Sequence, residues 1–240
     1  MKSLTTCLKS VETSLKESLL ADIDDTIKSG ADDLDEVAKE HIYKLLANEE
    51  WFEVGFFSRS YDSIKKKVTL RKKGKKWFVD VAGSITCYCP EGYITDGSFE
   101  FDNVSGDFKI FSKQQKGPCN CKSLKYGPKS VGTNLRIIDC PELKNLKYCP
   151  EKVRDSITIS YTGIETLKYF PEYSMFVEII NNKNLKNIDS TDNVNIKDGV
   201  KIINNGFKST IKDIKKCKWK IVNKHPYFLF DIGRIEINNL

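Results

Sequence analysis

The chain has 240 residues, 40 % hydrophobic and 30 % charged, with a formal net charge of +6. That composition fits a folded protein able to bury a sizeable core, and no apolar run approaches the roughly 18 to 20 residues that cross a bilayer. The charge is unevenly placed: residues 1–60 hold 7 basic against 13 acidic side chains, leaving 32 basic against 20 acidic for the remainder.

The opening Met1-Lys-Ser-Leu-Thr-Thr-Cys-Leu-Lys-Ser is broken by polar residues before an export-type apolar stretch develops, so a cytoplasmic location without membrane contact is expected. Leu4, Leu8, Val11, Leu15, Leu19, Ile23 and Ile27 recur three or four apart and predict an amphipathic helix ended by Gly30. A second helix is predicted from about Asp32, with Leu34, Val37, Ile42, Leu45 and Leu46 as its buried stripe. The two read as an acidic helical hairpin cap over residues 1–50, although the near-heptad steps of the first helix suit dimerisation equally well. Oligomeric state stays open.

Residues 51–97 form an aromatic and basic region leading into the rest. Trp51, Phe52, Val54, Phe56 and Phe57 are followed by Lys65, Lys66, Lys67, Arg71, Lys72, Lys73, Lys75 and Lys76, eight cations in twelve positions. A hairpin turning at Gly74 is expected. Such a lysine-rich edge guards against sheet aggregation or contacts an acidic partner.

Residues 98–240 carry a repeat. Lys122-Ser-Leu124-Lys-Tyr126-Gly-Pro128, Lys144-Asn-Leu146-Lys-Tyr148-Cys-Pro150 and Glu165-Thr-Leu167-Lys-Tyr169-Phe-Pro171 are three copies of one phrase at an almost constant spacing. A fixed period of this size belongs to a solenoid. Each copy is followed by an alternating strand, near 135–138, 157–160 and 177–180, a fourth near 200–203 follows a decayed copy at Leu185 and Ile188, and Val104 to Ile110 already matches that half. Trp219 to Val222, Tyr227 to Phe230 and Ile235 to Ile237 close the end as atypical terminal strands. The expected class is α+β: a helical hairpin cap and a β-solenoid of about 20–23-residue repeats.

Laid out as Leu-x-Tyr-x-Pro-(x)2-Val-x-x-x-(Leu/Ile)-x-Ile, the unit resembles the leucine-rich-repeat-like proteins of tailed bacteriophages, whose units approach L-x-S-L-x-G-C-P-x-x-V-G-G-x-F-x-C. The stretch Leu15 to Asp25 is similar to the leader helix of such proteins in phages of gut bacteria. The resemblance covers roughly residues 12–30 and 98–205, with Gly132 and Gly106 in the expected glycine places. It implies a leucine-rich-repeat-like fold and a viral setting, and it transfers no catalytic residues.

In each predicted strand the residue between two inward apolar positions faces outward, which selects Lys109, Arg136, Thr158, Glu178, Lys201 and Lys220 as a ladder. This ladder, with Lys65, Lys66, Arg71, Lys72 and Lys73 of the hairpin, is the candidate binding surface. Eight cysteines in an unexported chain predict reduced thiols. Cys87-Tyr-Cys89 and Cys119-Asn-Cys121 could supply four zinc ligands, but one intervening residue is shorter than the usual two to four, and core filling is the stronger reading. His41 and His225 stand near no nucleophile, and Gly127, Gly132 and Gly163 are scattered one per repeat, so neither an enzyme nor a cofactor is expected. The expected role is a protein-binding module acting on a host protein, with antiviral machinery among the candidate targets. The alternatives are nucleic-acid binding, from the basic balance and Trp77, Tyr88 and Tyr126, and a structural part of a virion.

Overall fold

The structure is a computed structural model that describes residues 34–55, 61–113, 117–188, 194–207, 219–221, 227–230 and 233–236. The first predicted helix, residues 4–28, and the start of the second lie outside them. Contacts divide the chain into Met1–Ile42 and Tyr43–Leu240. Helix α1 is described over residues 34–47. Of its predicted stripe, Ile42, Leu45 and Leu46 are buried, whereas Leu34 and Val37 are 70 % and 67 % exposed. Helical spacing reports which residues share a face and not what covers that face.

The second unit is a β-solenoid of about six turns. Its elements are β1 (Phe52–Gly55), α2 (Tyr61–Lys67), β2 (Val68–Lys73), β3 (Lys76–Val81), β4 (Ser84–Cys87), β5 (Phe99–Val104), β6 (Phe108–Ile110), β7 (Ser130–Val131), β8 (Leu135–Ile138), β9 (Lys152–Val153), β10 (Ser156–Ser160), β11 (Tyr173–Ile180), β12 (Asn195–Ile203), β13 (Lys220–Ile221), β14 (Tyr227–Phe230) and β15 (Gly233–Glu236). Each turn supplies two strand segments, and equivalent segments stack in parallel. One series runs β4, β6, β8, β10, then the second halves of β11 and β12, then β14. The other runs β3, β5, β7, β9, then the first halves of β11 and β12, then β13.

In β11 the two halves are continuous, and the chain passes from one series to the other at a register shift between Ser174 and Phe176. There the buried Ser174 hydroxyl lies 2.9 Å from the carbonyls of Asp155 and Phe176, so the kink leaves no hydroxyl unsatisfied. At the equivalent bend two turns earlier the chain has no room for a side chain. A Cβ on Gly132 would collide with the Ser105 carbonyl oxygen.

Antiparallel strands terminate the stacks. β1 pairs with β4, β2 with β3, and β15 with β14, so the parallel ladders end on turned-back neighbours. The expected hairpin turn is found at Gly74, whose φ of 62° suits glycine. Lys65, Lys66 and Lys67 are not in that hairpin. They form the last turn of α2, where cations suit the helix dipole.

The core is a set of columns. Ile85 and Cys87, Phe108 and Ile110, Leu135 and Ile137, Ile157 and Ile159, Val177 and Ile179, and Val200 and Ile202 follow one another at matched positions, none more than 1 % exposed. Leu124, Leu146, Leu167 and Leu185 fill the opposite side from the turns. Phe52, Phe99, Phe101 and Phe108 cluster near the amino-terminal end with neighbouring centroids 5.1 to 6.5 Å apart. Each fully buried aliphatic side chain contributes about 1.5 to 3 kcal/mol, which is why the repeated leucines dictate the period.

Candidate functional site

Alternation puts the middle residue of each first-series strand outward, and the register turns these residues into a row. Glu53, Thr86, Lys109, Arg136, Thr158, Glu178 and Lys201 align successively across the pairs. Five of the six sequence-selected ladder residues therefore share one face. Lys220 does not: it lies in β13, aligned with Asn195 in the second series, and Leu229 occupies its expected rung. Both strands of a turn alternate with the same period, so alternation alone assigns no strand to a series.

The charges of the row differ in how far they are paired. On one side of Arg136, Glu178 accepts a hydrogen bond from the Thr158 hydroxyl at 3.2 Å and pairs with the Lys201 ammonium, also at 3.2 Å. On the other side Lys109 approaches Asp107 at 3.3 Å, and that carboxylate is already committed. Burial opposes its charge, but donors from Thr133 and Asn134, with Lys109, hold Asp107 below the ordinary range. Between these pairs the Arg136 guanidinium has no hydrogen-bond or ion-pair partner among the described residues, and it is only half-exposed.

Arg136 and Lys109 line a groove of about 650 Å³ together with Glu53, Thr86, Tyr88, Phe111 and Lys113. The Tyr88 hydroxyl donates to Glu53 at 2.6 Å, fixing the ring, and the Lys113 ammonium sits 5.6 Å from the ring centre. Phe111 is 39 % exposed. The groove thus offers cations beside aromatic surface, the chemistry that receives a carboxylate flanked by apolar groups. Phe111 and Lys113 were not selected from the sequence, and Tyr88 was singled out there only for the nucleic-acid alternative. The available signal was the apolar Phe111 directly after Ile110, which breaks the alternation and leaves a ring outside.

The basic hairpin belongs to the other strand series, so its charges do not join this row. Arg71 pairs with Asp80 at 2.8 Å and Asp102 at 2.6 Å, tying β2 to β3 and β5. Lys76 pairs with Glu100 at 2.7 Å, and Lys129 reaches Asp102 at 3.0 Å. Arg71, with Lys129, holds the Asp102 carboxyl below its ordinary range although burial works the other way. Lys65 lies 5.3 Å over the Tyr43 ring, and Lys72 lies 5.7 Å over Trp77. Lys66 and Lys73 remain on the surface. Much of the hairpin charge therefore serves the sheet itself.

The two Cys-x-Cys pairs do converge. Cys87, Cys89, Cys119, Cys121 and Cys140 are all buried, and the sulfurs of Cys87 and Cys89 are 3.5 Å apart. The Cys87 and Cys121 thiols donate to the carbonyls of Ile94 and Ser123. The neighbouring Cys140 and Cys89 thiols push the Cys119 pKa down against the opposing effect of burial, and their own values are raised in turn. Among the described residues no group of three or more His, Cys, Asp or Glu side chains is disposed to hold a metal ion.

No helix among the described residues is long and apolar enough to cross a membrane. No family model, curated protein or solved structure matches the chain.

Proposed function

We propose that this is a leucine-rich-repeat-like binding module of the kind carried by tailed bacteriophages, acting in the host cytoplasm by occupying a host protein rather than by chemistry. The first-series face receives an acidic segment of that partner, with Arg136 and Lys109 taking its carboxylates and Phe111 and Tyr88 its neighbouring apolar groups. The observation that carries this reading is Arg136: a half-buried guanidinium without a partner among the described residues, in a groove already lined by Lys109 and Lys113. A planar cation of this kind is well suited to bidentate carboxylate recognition. The repeat supplies the scaffold, since a solenoid places one side chain per turn at a fixed spacing along an extended face.

The test is affinity capture with the tagged chain from host lysate, at moderate salt and with nuclease present. The expected result is one stoichiometric protein, lost at least tenfold with Arg136→Glu and with Lys109→Glu while both variants keep the wild-type circular dichroism. Undiminished capture by both variants overturns the assignment of this face.

A further inference from the structure

The Leu-Lys-Tyr turns form a second surface on the solenoid, away from the groove. In each, an amide three residues on closes the turn: Gly127 onto Leu124, Cys149 onto Leu146 and Phe170 onto Leu167, at 2.9 to 3.0 Å. In the type II form of such a turn the third residue takes a positive φ, a place where glycine is at ease and a bulky side chain is strained. Here it is a tyrosine every time, with φ of 70° at Tyr126, 70° at Tyr148 and 69° at Tyr169. Holding a non-glycine residue there costs on the order of 1 kcal/mol or more. Core packing does not account for it at Tyr148 and Tyr169, which are 49 % and 50 % exposed, whereas Tyr126 is part-buried with its ring against Gly97.

Each ring carries the ammonium of the preceding lysine, with Lys125, Lys147 and Lys168 at 4.5, 5.0 and 5.1 Å from the ring centres. The fourth turn, Lys183-Asn-Leu-Lys-Asn187, continues the row without the ring. Across these four five-residue turns the sequence holds seven lysines, Lys122, Lys125, Lys144, Lys147, Lys168, Lys183 and Lys186, against Glu165 alone. All seven are exposed. The net charge of these twenty residues is +6, equal to that of the whole chain, and it is drawn into one stripe along the solenoid axis at the ~4.8 Å rise of stacked strands.

We propose that this stripe binds single-stranded nucleic acid. A linear polyanion running along the axis meets a cation on every turn, and its bases find the tyrosine faces, the pairing of electrostatic track and stacking platform that such binding uses. An acidic protein segment would use the lysines and leave the strained tyrosines unexplained. This surface is independent of the groove at Arg136.

The experiment is fluorescence anisotropy of the full chain with labelled (dT)20 and, in parallel, U20, at low salt and across a salt titration. Glycine is the informative replacement, since it relaxes the positive φ while deleting the ring. The double variant Tyr148→Gly/Tyr169→Gly is expected to melt no lower than wild type and to bind at least about tenfold more weakly. Lys125→Glu/Lys147→Glu weakens binding as well, Arg136→Glu leaves it unchanged, and affinity falls with salt with a log–log slope of about −3 for four released counterions. No binding at about 50 mM salt overturns the proposal. So does undiminished binding by the glycine double variant, or equal binding of polyglutamate, either of which leaves a merely cationic surface. The two oligonucleotides tell DNA from RNA.

Discussion

Asn182 is the most heavily engaged buried polar side chain among the described residues of the solenoid, and replacing it with leucine is a direct test of the fold. Its Nδ2 donates to the Ile159 carbonyl at 3.0 Å and to Asn205 Oδ1 at 3.1 Å, and its Oδ1 accepts from the Thr162 amide at 3.0 Å and the Thr162 hydroxyl at 2.7 Å. The residue is fully buried. Asn182→Leu deletes these bonds and strands three buried groups, the Ile159 carbonyl and the two Thr162 donors. Each stranded group costs about 1 to 3 kcal/mol, and the leucine recovers part of that through apolar burial. A net loss of about 3 kcal/mol is expected, read as a lowered urea midpoint with unchanged slope. Thr162→Val removes a single donor and costs about 1 kcal/mol. Because both changes empty the same network, the double variant should be less destabilised than the two losses combined. An Asn182→Leu protein within about 0.5 kcal/mol of wild type, the range of an ordinary surface change, would refute the claim that this side chain joins three successive turns. Strict additivity of the two substitutions would refute it equally.

Gly132→Ala drives a Cβ into the Ser105 carbonyl oxygen, and a destabilisation of at least about 2 kcal/mol is expected in the same urea assay. Leu146→Ala empties a fully buried core position and should cost about 2 to 5 kcal/mol, while the exposed Lys147→Ala stays within about 0.5 kcal/mol. Acid should loosen the structure in a defined window. Asp102 and Asp107 are both held below the ordinary aspartate value of 3.8, so their contribution is complete above that value and is lost as the pH falls through their native values. Thermal melts from pH 6 downward should show that loss begin near pH 4, and Asp102→Asn should flatten it; a variant as acid-sensitive as wild type would count against the Arg71 and Lys129 pairing.

Much of this architecture was readable because one physical constraint repeats. A leucine that must fill the core once per turn leaves a near-constant period, and the outward residue between two apolar neighbours follows from strand geometry alone. Hence Lys109, Arg136, Thr158, Glu178 and Lys201 could be placed on one row in advance. Lys220 failed because each turn contains two strands of the same alternation, and nothing local says to which stack a segment belongs. The helix at Tyr61–Lys67 was hidden inside a charge run read as hairpin, since lysine supports either state where packing does not decide. Arg71 looked like surface charge because its partner Asp102 lies 31 residues away, and ion pairs between strands leave no mark on local sequence.

The corners of the solenoid show where fold and function part company. After the first-series strands the chain reverses through Asp139, Asn181 and Asn204 at φ of 57° to 59°, residue types that tolerate this conformation. Cys89 and Tyr161, at 48° and 54°, are the exceptions in that series. Inside those corners Thr162, Asn182 and Asn205 bond from turn to turn and close the stack. At the Leu-Lys-Tyr corners the same backbone requirement is met by the wrong residue for stability three times running, each time directly after a lysine that lies over its ring. One set of corners mostly follows the backbone's preferences and is tied into its own bonds; the other works against them at every tyrosine and faces solvent with lysines alongside. A sequence shaped only by folding would favour asparagine, aspartate or glycine at both, and the lysine-tyrosine pairs depart from that preference three times running, the pattern expected if the proposed stripe meets a ligand.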